Sequence, residues 1–157
     1  MQKITPCLWF DDNAEEAMNF YASIFNNSEI TGVTRYGEAG PGPKGSVMSV
    51  TAVLDGEEFM ALNGGPVFTF SPATSFFVAC ATQAEVDMFW EKLGAGGEYQ
   101  QCGWLTDKYG VSWQIVPTVL LELLQDKDVA KSKRVMAAML NMVKLDIAGL
   151  KRASEQR

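Results

Sequence analysis

Histidine is missing altogether from the 157 residues. Its absence removes Ser-His-Asp triads, Cys-His dyads, HExxH zinc sites and every imidazole acid or base, whatever the fold. Cysteine is scarce, and Cys7, Cys80 and Cys102 form an odd set with no CxxC spacing, so neither a disulfide framework nor a zinc knuckle is indicated. Positive charge is short, with 13 Lys and Arg against 19 Asp and Glu and a net charge of -6. General attraction to phosphate backbones or anionic lipid is therefore unavailable, and nucleic acid is not expected as a partner. No stretch approaches the roughly 18 consecutive apolar residues of a membrane span. Met1 to Phe10 runs into Asp11 and Asp12 without the apolar region of a signal peptide. The expectation is a cytoplasmic protein with no membrane partner.

What is present suits a folded domain. A hydrophobic fraction of 47% with 20% charged residues can form a buried core, and the length suits one compact domain or two fused half-domains. Ile4 to Phe10 reads as a strand, after which Asp11, Asp12 and Asn13 offer N-capping side chains. Ala17, Phe20, Tyr21, Ile24 and Phe25 then share one helical face, with Asn26 and Asn27 placed to end the helix. Ile30 to Tyr36 reads as a strand, and Gly37 to Ser46 is too rich in Gly and Pro for regular structure, so it is a lid or a connector. Ser46 to Leu54 and Glu58 to Leu62 flank Asp55-Gly56, a hairpin signal.

The pattern then recurs. Ser75 to Ala81 reads as a strand, Thr82 with Glu85 matches a capping box, and Val86, Phe89, Trp90 and Leu93 form a helical stripe. Gly94 to Gly97 breaks that helix, and strands are expected around Tyr99 to Thr106 and Val111 to Val116. A shift of 69 positions lays Phe20-Tyr21 on Phe89-Trp90 and Ala17 on Val86. A shift of 54 lays Gly56 on Gly110 and Met60 on Gln114. The expected fold is α+β, with two βαβββ modules at about residues 1-66 and 73-117 and a helical extension over 118-157. In the extension, Val119 to Leu124 is a short apolar segment. Met136, Met139, Leu140, Val143, Ile147 and Leu150 form a helical stripe able to pack on the domain or on a second subunit.

Paired βαβββ modules with a Phe-Tyr pair on the first helix resemble the vicinal-oxygen-chelate (glyoxalase and bleomycin-resistance) superfamily. More narrowly, TPCLWFDDNAEEAMNFY, RYGEAGPGPKGSVMSV, LNGG and QCGWLTDKYGVSWQIVP resemble the PhnB-like family, also called the 3-demethylubiquinone-9 3-methyltransferase domain family. The resemblance implies cupped mixed sheets and a homodimer. It also implies four inward positions, on the first and last strand of each module, where catalytic relatives hold a divalent metal with His, Glu or Gln. Here those positions fall near Thr5 and Thr74 on the first strands and at Met60 and Gln114 on the last, with Cys7 the next inward candidate. Only Gln114 resembles a ligand, so neither a metal nor another cofactor is expected.

Strand alternation would line the cupped interior with Cys7, Trp9, Met60, Gln114 and Trp104, and would aim Trp9 and Gln114 into one concave space. Aromatic, sulfur and amide groups suit binding of a small organic molecule better than proton transfer. Cys102, expected on a strand, has no histidine to activate it as a nucleophile. For a nucleotide, Gly94-Ala95-Gly96-Gly97 follows a helix instead of preceding one, and Pro41 and Pro43 remove amide donors from the other glycine-rich loop. The expected function is metal-independent binding of a small molecule. The alternative is a PhnB-like enzyme acting on a small oxygenated or aromatic substrate.

Overall fold

The computed structural model describes residues 2–156. The chain forms two compact units, one ending at Phe70 and the other beginning at Ser71. The first contains β1 (Cys7–Phe10), α1 (Ala14–Ile24), β2 (Glu29–Arg35), β3 (Val47–Leu54) and β4 (Glu57–Asn63). The second contains β5 (Ser75–Cys80), α2 (Gln83–Gly94), β6 (Glu98–Tyr99), β7 (Trp104–Thr106) and β8 (Ser112–Pro117). Helices α3 (Thr118–Leu124), α4 (Val129–Leu140) and α5 (Ile147–Glu155) follow. The two mixed sheets, ordered β1-β4-β3-β2 and β5-β8-β7-β6, have the same topology. In each, the first and last strands pair in parallel and the helix between the first two strands covers one face. The α+β architecture of repeated βαβββ modules with C-terminal helices is therefore as expected.

The sheet faces follow the period of two. In the first module, Leu8, Phe10, Val50, Ala52, Leu54 and Ala61 are buried on the helix side. There they meet Ala14, Ala17, Met18, Tyr21 and Ile24 of α1. Phe20 and Phe25, expected on that stripe, are only half-buried, whereas Met18 is fully buried. Asn13 is the N-cap of α1, but its side chain makes no capping bond. The amide of Ala14 instead donates to Asn63 Oδ1 at 2.8 Å, a long-range partner that no local capping rule reveals. At α2 the local rule holds. The amide of Glu85 donates to Thr82 Oγ1, and the amide of Ala81 donates to Glu85 Oε1, each at 3.2 Å. The Asp55-Gly56 turn has φ of 50° and 81°, both left-handed as a two-residue type I′ hairpin requires.

Two expectations need correction. The strand expected over Tyr99 to Thr106 is split into β6 and β7 by a 3-10 turn at Gln101–Gly103. Cys102 and Gly103 both take positive φ, 61° and 81°, and their amides donate to the carbonyls of Met142 and Val143 at 2.8 Å. A non-local partner thus takes the amides that a strand would have used, and Cys102 lies on a turn, not on a strand. The second correction concerns the extension, where the stripe from Met136 to Leu150 does not run through one helix. It is interrupted after Leu140, and α5 starts afresh with Asp146 Oδ2 accepting from the amide of Gly149. The break resets the helical phase. Val135, Leu145 and Leu150 are the fully buried residues, packed with Val116 and Leu120. Met136, Leu140 and Val143 are 42%, 57% and 42% exposed.

Candidate functional site

On the first module's open face, away from α1, Cys7 lies beside Met60 and Trp9 beside Leu62 across the parallel β1–β4 ladder. Met60 in turn pairs with Thr51 of β3. A groove of about 200 Å³ runs here, lined by Thr5, Thr31, Thr51, Ala52, Val53, Glu58, Phe59 and Met60. Thr31 Oγ1 donates to Thr51 Oγ1 at 3.0 Å, and Glu58 Oε2 accepts the amide of Gln2 at 3.0 Å. Trp9 is held from behind: its indole N–H donates to the Gly65 carbonyl at 2.9 Å, and its ring meets Phe68 edge-on at 5.0 Å. A Cβ at Gly64 would overlap the Trp9 ring, which is why the glycine of LNGG suits this position. Cys7 is exposed, yet partial desolvation pushes its thiol pKa up, which works against thiolate chemistry.

The second module's open face carries Gln114 on β8, between Phe77 on β5 and Trp104 on β7. The Gln114 amide donates to Ser75 Oγ at 3.0 Å. Two residues away on the same face, Ser112 Oγ is buried and has no hydrogen-bond partner among the described residues. An unsatisfied buried hydroxyl costs about 1–3 kcal/mol. Ser112→Ala should therefore leave stability unchanged or raise it by up to about 1 kcal/mol in urea titrations, and a loss of that size would refute the assignment. The structure thus brings Cys7, Trp9 and Met60 together on one sheet, and Trp104 and Gln114 together on the other.

The remaining thiols are poorly placed for chemistry. Cys80 is fully buried, and desolvation first, then the Glu85 carboxylate, push its pKa from 9.0 to about 11 against an opposing hydrogen bond from the Val116 backbone. Because its folded pKa lies above the unfolded value, its contribution to stability is intact below pH 9.0 and is lost as pH rises toward about 11. Alkylation of the native protein at pH 8, about one unit below an ordinary thiol pKa, should modify Cys7 and spare Cys80. Equal labelling of both would contradict the burial.

A larger cleft, about 680 Å³, opens at the end of the first module. It is lined by Asp11, Asp12, Glu15 and Glu16, by Tyr36, Pro41, Gly42, Pro43 and Ser46 of the loop, and by Asn63 to Gly65. Sequence reading singled out the glycine-rich loop as a lid or a connector but did not join it to the carboxylates, which look like an ordinary helix start. The loop is ordered by Tyr36. Its hydroxyl donates to the Asn63 carbonyl at 2.8 Å, and its ring packs so closely on Gly40 and Gly42 that a Cβ at either would overlap it. Asn63 also accepts from Ala14 and donates its side-chain amide to the Val47 carbonyl at 3.1 Å, so it ties α1, β3 and the loop together.

Residues 2–116 match the model of the 3-demethylubiquinone-9 3-methyltransferase family. The chain belongs to that family. Among solved structures it is similar to a PhnB protein from Bacillus cereus, provisionally described as a 3-demethylubiquinone-9 3-methyltransferase. That match has 45% identity and a TM-score of 0.69, and covers 74% of this chain and 99% of that one. A protein from Pseudomonas aeruginosa shares the fold at 22% identity and a TM-score of 0.62, over 74% of this chain and 98% of its own. A glyoxylase/bleomycin resistance protein/dioxygenase domain from a Frankia species also matches, at 14% identity and a TM-score of 0.47, over 72% and 89% of the two chains. Comparison with curated proteins returns no match. The helices from Thr118 onward lie beyond the region that the family model spans.

The name of the 3-demethylubiquinone-9 3-methyltransferase family implies a methyl donor, and the residues here do not fit a nucleotide-bearing one. Gly94 to Gly97 ends α2, and a Cβ at Gly97 would overlap the Thr106 carbonyl, so this turn is packed shut against β7. The Gly37–Ser46 loop is packed on Tyr36, and Pro41 and Pro43 lack amide donors. A divalent metal fits no better. Thr5 and Thr74, expected at the first-strand ligand positions, both precede their strands, and Thr74 is exposed. The strand register instead sets Cys7 beside Met60 and Phe77 beside Gln114. A thiol, a thioether, a phenyl ring and an amide do not form a site for a hard cation. Among the described residues, no group of three or more His, Cys, Asp or Glu is placed to hold a metal ion.

Proposed function

We propose that this chain is a metal-independent binder of a small organic molecule, taken up on the open faces of its sheets. The observation that carries the reading is the side-chain set at the paired first- and last-strand positions. Cys7 with Met60 and Phe77 with Gln114 are soft, aromatic or neutral, and Trp9 and Trp104 neighbour them. Such a surface holds a ligand by packing and a few oriented hydrogen bonds, without a group suited to proton transfer. The bound molecule would be carried in the cytoplasm by a homodimer, a state that sedimentation equilibrium would establish.

Native mass spectrometry and elemental analysis of protein purified without added ligand test the reading together. The expected result is a retained small organic mass without stoichiometric metal, whereas one tightly held zinc, nickel or manganese per chain would overturn it. For the retained molecule, Trp9→Phe should weaken binding while keeping the fold. Gln114→Ala should cost about 0.5–1.5 kcal/mol of affinity through one lost hydrogen bond. Lowered stability with unchanged affinity in both variants would place the ligand elsewhere.

A further inference from the structure

The register of the second sheet lines up one polar row across its strands, Ser75 on β5, Ser112 on β8, Thr106 on β7 and Glu98 on β6. These side chains share the open face with Gln114, since directly paired residues point the same way. Gln114 Nε2 donates to Ser75 Oγ at 3.0 Å, and Gln100 Nε2 donates to Thr106 Oγ1 at 3.1 Å. Both hydroxyls thus accept a bond, and among the described residues neither gives its own proton away. Ser112 between them is 2% exposed, and its Oγ has no partner among the described residues. A buried hydroxyl left unsatisfied costs stability, so its presence points to a group supplied from outside. No Lys or Arg stands in β5 to β8.

Resting on the binding function above, we propose that this row takes a neutral polyol, a molecule with two hydroxyls one strand spacing apart, ~4.8 Å. One ligand hydroxyl sits between Ser75 and Ser112 and the other between Ser112 and Thr106, so the distance between adjacent strands sets the distance between the seats. A hydroxyl suits each seat because it accepts one side-chain proton and returns its own to a lone pair of the neighbouring oxygen. A carbonyl or ether oxygen can only accept. An anion meets no cation in the row and faces Glu98 at its end, whereas a further ligand hydroxyl donates to that carboxylate. Phe77, 47% exposed, and Trp104 flank Gln114 in the next row and give apolar contact to the carbon skeleton. Gln100 and Gln114, both half-buried, reach the hydroxyls on either side of Ser112, and rotation of these side chains opens the row to the ligand.

With both hydroxyls equatorial, cis-1,3-cyclohexanediol sets its oxygens close to the strand spacing. Its vicinal isomer holds them much nearer together, and cyclohexanol carries a single hydroxyl. NMR titration of the full chain at neutral pH should show the spaced diol binding about tenfold tighter than either comparison compound, because a missed seat forfeits its hydrogen bonds. Ser112→Ala should abolish that preference of about tenfold while its thermal midpoint stays the same or rises, a split that a purely structural role would not give. Should Ser112→Ala fold poorly, Thr106→Val carries the same expectation, because it removes the neighbouring hydroxyl at nearly the same shape. Equal binding of the three compounds to the native protein would overturn the polyol specificity. A preference untouched by either variant would overturn its placement on this row. Failure of all three to bind would overturn the polyol site; an organic mass still retained in native mass spectrometry would leave the binding function standing, and its absence would remove that as well.

Discussion

Asp107→Ala should lower the unfolding free energy by about 3 kcal/mol, because it strips the partner from several buried donors at once. Asp107 is 3% exposed in the turn between β7 and β8. Its Oδ1 accepts the amides of Tyr109 and Val111 at 2.9 and 3.0 Å, and its Oδ2 accepts the indole N–H of Trp113 at 2.8 Å. One carboxylate thus fixes the turn geometry and anchors the largest side chain of β8 on its helix side. Asp107→Asn keeps one acceptor oxygen and should recover part of the loss. Urea unfolding followed by tryptophan fluorescence reads both variants. A change below about 1 kcal/mol for alanine would mean that water replaces the carboxylate easily and that the turn is more open than described.

Leu145→Ala should cost a comparable amount, about 3 kcal/mol, within the range for fully buried leucines. Leu145 is 0% exposed and packs with Val116, Leu120, Val135 and Leu150. It also sits against Gly103, where an added Cβ would fall 2.9 Å from its Cδ1. Gln83 clamps the same segment, donating to the Leu145 carbonyl at 3.1 Å and accepting the Ile147 amide at 2.8 Å. Although the extension lies outside the family match, it forms part of the second unit's core. Loss of less than about 1 kcal/mol in equilibrium unfolding would show instead that the helices are an appendage the module does not need.

Most of the architecture was legible because it rests on short-range rules. The alternation of Val50, Ala52 and Leu54, the stripe of Val86, Trp90 and Leu93, the Thr82–Glu85 box and the Asp55-Gly56 turn each state their local structure within a few residues. Cys7 and Trp9 share one face of β1 by parity, and the ladder sets Met60 beside Cys7. The same rules failed where a backbone group found a distant partner. Asn63 supplied the cap of α1 in place of the nearby Asp11, Asp12 and Asn13, and Met142 and Val143 drew the amides of Cys102 and Gly103 out of a strand.

By itself, then, the sequence determined most of the element types, the repeat, the soft and neutral residue types on the first and last strands and the exclusion of imidazole chemistry. These depend on residue identity and on spacing along the chain. Only the tertiary structure decided the strand register that makes Cys7 rather than Thr5 the neighbour of Met60, which residues of the extension are buried, and the acidic cleft beside Tyr36. The physical reason is that register, helix phase after a break and cleft shape are set by contacts between segments tens of residues apart. In this chain, buried amides and carbonyls meet whichever partner the packing brings within about 3 Å, not the nearest along the chain.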